Sequence, residues 1–110
     1  MAKYLVRGSY TQEGLKGLLK EGGSARRDAV TKAVEAFGGS MEMFYFAFGC
    51  DDFFMIFDLP DNATAAAASL LGNAAGTTKV TYTVLVAPEE IDQATELANR
   101  KMAAYRPPGK

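Results

Sequence analysis

The chain has 110 residues, 48% of them hydrophobic and 23% charged, enough for one domain that buries a core without disulfides or metal. A formal net charge of -1 offers no field to attract nucleic acid or an anionic membrane, so neither is expected as a partner. There is no histidine, no tryptophan and a single cysteine. That set excludes Ser-His and Cys-His nucleophile pairs, histidine-ligated haem, ordinary zinc sites and an internal disulfide. Carboxylates could still cage a hard cation, but no metal and no other cofactor is expected. The lone cysteine fits a reducing cytoplasm, and no run approaches the roughly 20 apolar residues of a membrane span.

In chain order, "KYLVRGSY" (3–10) alternates as a strand, with Tyr4, Val6 and Gly8 on one side and Lys3, Leu5, Arg7 and Ser9 on the other. Thr11 is a helix N-cap for a segment carrying Leu15, Leu18 and Leu19, which Gly22-Gly23 ends. Ser24 then caps a second helix whose stripe is Ala29, Val30, Ala33, Val34 and Phe37, stopped by Gly38-Gly39. "MEMFYFAF" and "FFMIFDL" are aromatic strands joined through Gly49 to Asp52. Asp61 or Asn62 caps the alanine-rich helix "ATAAAASLLGNAAG", which reads as close packing on a sheet. "KVTYTVLV" is a fourth strand. Pro88, Glu89 and Glu90 suit the first turn of a last helix with Ile91, Ala94, Leu97, Ala98, Met102 and Tyr105 on one face. Residues 105–110 are expected to be a frayed tail of the single domain 1–110.

This order, β-α-β-β-α-β plus a helix, predicts an α+β fold: a ferredoxin-like antiparallel sheet with helices on one face. A tight turn centred on Cys50-Asp51 would set Phe48 opposite Phe53, Phe46 opposite Met55 and Phe44 opposite Phe57, all toward the helices. The other face then carries Met43, Tyr45, Ala47, Phe54, Ile56 and Asp58, with Leu5, Arg7, Ser9, Thr81, Thr83 and Leu85 alongside. Such a face is too apolar to stay wet, so a second copy is expected across it, giving a homodimer or a higher even oligomer.

Three stretches carry candidate chemistry, each with a plainer alternative. In "GCDD" (49–52), Asp51 and Asp52 would raise rather than lower the pKa of Cys50, which makes it a poor nucleophile. The aspartates suit a turn, although Asp52 could face a cavity mouth as a ligand contact. In "GGSARRD" (22–28), Arg26 and Arg27 stand at a helix start and could clamp an anion over free amides, or merely pair with surface carboxylates. Finally, Arg7, Tyr10, Tyr45 and Asp58 could orient an anionic or enolic ligand, with a tyrosine donating to a developing oxyanion. The alternative is an interface salt bridge packed by tyrosines.

The stretches "YLVRGSYTQEGLKGLL", "GGSARRDAV", "GGSMEMFYFAFGCDDFFMIFDLPDNATAAA" and "TYTVL", in order from about Tyr4 to Glu90, resemble the GYD domain family of small bacterial proteins. The family's Gly-Tyr-Asp signature falls at the hairpin after the aromatic strand. Gly49 and Asp52 match it, Cys50 fills the variable place, and Asp51 stands where tyrosine is common, which favours a structural role for the signature. The resemblance implies the dimeric α+β barrel architecture, two ferredoxin-like sheets face to face, and no assigned activity. Together these readings predict a homo-oligomeric binding or accessory module for a small anionic or aromatic molecule, held between sheet and helices. The alternative is a cofactor-independent oxygenase or isomerase acting on an activated phenol or enol, using Arg7, Tyr45 and Asp58.

Overall fold

A computed structural model describes residues 1–110. The elements follow in the order β1 (Ala2–Tyr10), α1 (Gln12–Glu21), α2 (Gly23–Ala36), β2 (Ser40–Phe46), β3 (Phe53–Leu59), α3 (Asn62–Ala74), β4 (Thr78–Leu85) and α4 (Pro88–Lys101), with a 3₁₀ turn over Met102–Ala104. One sheet in the order β2-β3-β1-β4, with every neighbouring pair antiparallel, is the ferredoxin-like α+β arrangement. Alternation in the two central strands decides the core. Tyr4, Val6, Phe53, Met55, Phe57 and Leu59 are buried on one face and meet Val34 of α2 and Ala65 of α3. No helix is long and apolar enough to cross a membrane.

The helix starts follow local chemistry. Thr11 accepts the Gly14 amide at 3.2 Å and Asp61 accepts the Thr64 amide at 2.8 Å, each satisfying an orphan donor of a first turn. Pro88 begins α4, and the Glu90 carboxylate accepts the Ala87 amide at 3.0 Å. Ser24 does not cap α2. That place belongs to Gly22, whose φ of 85° is a left-handed turn open to glycine, and α2 begins one residue before Ser24. The α1–α2 junction is therefore a sharp glycine corner, and the ring of Phe46 lies against Gly23, close enough that a Cβ there would press on it.

The β2–β3 connection departs from the expected tight turn. Residues 47–52 form a longer loop: Phe46 pairs with Phe53, Phe44 with Met55 and Met41 with Phe57, with an irregularity between Met41 and Met43. Phe48 leaves the sheet and is fully exposed. The reason is tertiary, because β1 takes hold of the loop. The Asp52 amide donates to the Gly8 carbonyl at 2.8 Å, and the Asp52 carboxylate accepts the Tyr10 amide at 2.9 Å. Arg7 pairs with Asp51 at 3.0 Å. Over Met43–Phe46 the register moves by two residues, an even step, so each aromatic in the paired strands keeps its expected face; past the irregularity, at Met41, the shift is three.

The helix α4 is amphipathic, yet every one of its residues is exposed, so its apolar face is not packed on the domain's own core.

Candidate functional site

Between the core face of the sheet and the helices α2 and α3 lies a cavity of about 350 Å³. Its floor is sheet side chains, among them Val6, Met55, Phe57 and Tyr82, and α2 closes one side with Val30 and Ala33. The other side is the small-residue edge of α3: Ala68, Gly72 and, just past the helix, Ala75. These recur at helical spacing on one face. The alanine-rich stretch, expected to pack closely on the sheet, instead leaves room there.

Four polar side chains beyond the apolar walls give the cavity its chemistry, along with Thr77. Arg26 is the one charged residue among those lining it. Its Nε is buried without a hydrogen-bond partner, and its nearest carboxylate oxygen, on Glu21, stands 3.7 Å away, beyond hydrogen-bond range. Tyr10 packs edge-on against Phe53, ring centroids 5.3 Å apart. Burial raises its pKa; the charge of Arg26 pulls the other way, while Asp52 and Glu21 add to the rise. Tyr82 packs edge-on against Phe57 at 6.1 Å, and burial pushes its hydroxyl up to about 12. Both phenols are therefore neutral donors at physiological pH. The hydroxyl of Thr78 is already spent on the Gly72 carbonyl at 2.9 Å.

The residues singled out from sequence fall into separate places. Tyr10 and Arg26 meet at the cavity, and Asp52 sits behind Tyr10, bonded to its amide. Arg27 pairs with Asp28 at 3.5 Å on the surface. Arg7, Tyr45 and Asp58 lie on the opposite face of the sheet and do not converge with Tyr10. Asp58 stands across from Lys3 in the register, and Lys3 donates to it at 2.9 Å and to Glu42 at 3.2 Å. The hydrogen bond to Asp58, then that to Glu42, raises the Lys3 pKa. Arg7 stands across from Phe54 and is taken by Asp51. An Arg7–Asp58 pair is thus replaced by two others. Cys50 is exposed and unpaired, and its carbonyl accepts from the Ser9 hydroxyl at 3.4 Å. No three His, Cys, Asp or Glu side chains group in a way that could hold a metal ion. Tyr82 escaped the sequence reading. Its signal was a lone tyrosine on the strand face opposite the small residues of α3.

A sequence model of the GYD domain matches residues 4–95. The chain belongs to the GYD domain family. No curated protein and no solved structure gives a significant match. The GYD domain covers β1 from Tyr4 on, the other three strands, α1 to α3 and the first half of α4, so the whole cavity lies within it. In this GYD protein the Gly49–Asp52 stretch works on the backbone: both aspartates are committed to β1, and neither lines the cavity. With one cation, two neutral phenols and no carboxylate among its lining residues, the cavity is equipped to bind and orient a ligand. It has no side chain of its own suited to abstract a proton near neutral pH.

Proposed function

We propose that this GYD domain is a small-molecule-binding module that works as a homodimer, taking a small anionic or polar-aromatic ligand into the cavity between sheet and helices. The observation that carries the reading is Arg26, with its Nε buried and unpartnered at the edge of an apolar cavity of about 350 Å³ that two tyrosines also enter. The Arg26 side chain as a whole is 36% exposed, so its charge is partly solvated; what the interior leaves unmet is one N–H donor, which a ligand acceptor would satisfy. The volume lies within the range of small-molecule sites, as does an apolar lining with a few convergent polar groups. An enzyme built on Arg7, Tyr45 and Asp58 lacks its constellation, because Asp51 holds the first and Lys3 the last.

Support for the dimer comes from the uncovered face of the sheet. Leu5, Phe54 and Ile56 are only half-buried there, and Tyr45 is 69% exposed. One end of that face carries Lys3 against two carboxylates, Glu42 and Asp58; the other carries Arg7 and Lys79 against one, Asp51. A two-fold axis running across the strands sets each end of one protomer against the oppositely charged end of its partner. The exposed, unpaired cysteine suits a reducing, cytoplasmic setting.

Thermal unfolding against a panel of aromatic acids, phenols and enols tests the binding reading. Saturable stabilisation is expected for some members, and filling the cavity from α3 with Ala68→Phe should remove it. A flat response across the panel, equal in both proteins, would sink the proposal. Light scattering at micromolar concentration should give twice the 11.8 kDa chain mass; a monomer would remove the dimer from the account.

A further inference from the structure

Arg26 has two claimants. On the solvent side the Glu21 carboxylate waits across the Gly22–Gly23 corner, 3.7 Å from Nε, an ion pair without a hydrogen bond. On the inner side lies the cavity, with no other charged residue in its lining. The arginine stays near the cavity because it springs from the first turn of α2, its amide bonded to the Gly22 carbonyl at 3.2 Å. In that turn its charge opposes the helix dipole, so the guanidinium is best stabilised by a negative partner.

We propose that Arg26 is the anion anchor of this cavity and Glu21 its internal competitor, so that the site selects flat aromatic monoanions of the aryl carboxylate class. The inference rests on the binding reading above and adds charge, shape and a regulator to it. One cation neutralises one negative charge; a second anionic group further in would lie among Val6, Met55, Phe57 and Ala68 with no partner. The aromatic preference follows from the walls, which Phe37, Phe44, Phe57 and Tyr82 help to line. At the arginine end, the Tyr10 hydroxyl is within the field of Arg26 and also of the carboxylates Asp52 and Glu21; as a neutral donor it can serve the same ligand carboxylate. Glu21 then acts as an occupant of Arg26 that any ligand must replace. Its side chain is 39% exposed, so release into water is cheap and the competition is mild.

Titration calorimetry with the intact protein tests this, using naphthoate, its neutral counterpart naphthylmethanol, and a naphthalenedicarboxylate with its second charge at the far end. Naphthoate should bind about tenfold or more tightly than naphthylmethanol, the advantage expected of a charge-assisted contact. The dicarboxylate should bind more weakly than naphthoate. Arg26→Gln should close most of the gap between acid and alcohol by weakening naphthoate far more than naphthylmethanol. Glu21→Gln, a substitution at an exposed position, should tighten naphthoate by about two- to fivefold, and by more than it tightens naphthylmethanol. Equal affinities for acid and alcohol in the unaltered protein would overturn the anchor while leaving the cavity a neutral-ligand site. Tighter dicarboxylate binding would overturn the single-charge selectivity. Should Arg26→Gln fail to fold, Glu21→Gln still decides: naphthoate affinity unchanged or weakened there overturns the proposal. If none of the three compounds bound, and the wider panel also gave no stabilisation, both this inference and the binding reading would fall together.

Discussion

Replacing Asp52 by alanine tests the role assigned to the loop between β2 and β3. Its carboxylate accepts the Tyr10 amide at 2.9 Å, and its own amide and carbonyl bond Gly8 and Ala47, each at 2.8 Å. Alanine keeps the two backbone bonds but leaves the Tyr10 amide, at the end of a central strand, without its charged acceptor. A hydrogen bond to a charged group contributes about 1.5–3 kcal/mol. Because Asp52 is only half-buried, water can replace part of it, and a loss of about 2 kcal/mol is expected. For a domain of this size that lowers Tm by roughly 8–12 °C. Asp52→Asn, which retains an acceptor oxygen, should lose about half as much. The neighbour provides the control: Asp51, 19% exposed, bonds Arg7, which is 47% exposed, so the pair is partly screened and Asp51→Ala should cost about 1 kcal/mol, less than Asp52→Ala. Equilibrium urea unfolding of the four proteins measures the series. If Asp51→Ala cost as much as Asp52→Ala, or if Asp52→Ala were neutral while altering ligand affinity, the aspartate would belong to a site and the structural account of the loop would be refuted.

Cys50→Ser should leave stability within about 0.5 kcal/mol and the oligomeric state unchanged, since the thiol is exposed and bonds nothing; an altered mass by light scattering would contradict this. Alkaline titration should reveal Tyr82. The folded state holds its proton up to about pH 12, whereas the unfolded chain releases it near 10.0. The associated stability is complete below pH 10 and declines as pH rises through that window. Tyr10, raised in the same direction, adds to the decline. Denaturant midpoints followed across the window should fall more gently for Tyr82→Phe; an unchanged slope would show that the tyrosine is not buried. Ile56→Asp places a carboxylate in the middle of the uncovered sheet face and should dissociate the proposed dimer. A variant that sedimented as a dimer would place the interface elsewhere.

The order of elements was legible because it rests on local signals: alternation in β1 and β3, the caps Thr11 and Asp61, and Pro88 with its acidic first turn. The division of the aromatics of β2 and β3 between the two sheet faces was also legible, since the slip is even over Met43–Phe46; Phe48, which leaves the sheet, was the exception. The pairings themselves were not. Which cation meets Asp58 depends on the β1–β3 register, which sets Lys3 opposite it and Arg7 four residues further along β1. The loop bonds of Asp51 and Asp52 to β1 join residues separated by 44 and 42 positions and leave no local trace. Arg26 stood out because a positive charge in a first helical turn is unfavourable, but its cavity depends on how far α3 stands from the sheet. That spacing comes from packing small residues opposite large aromatics, and Tyr82 acquires its role only once the space exists.

The central claim is that ligands enter between sheet and helices at Arg26, and backbone and side-chain NMR during a naphthoate titration tests it most directly. Saturable shifts should gather at Tyr10, Arg26, Val30, Gly72 and Tyr82, which surround the cavity, with Leu5, Tyr45 and Ile56 undisturbed. Shifts concentrated on Leu5, Tyr45, Phe54 and Ile56, with the cavity residues silent, would move the binding site to the opposite face of the sheet and contradict the account.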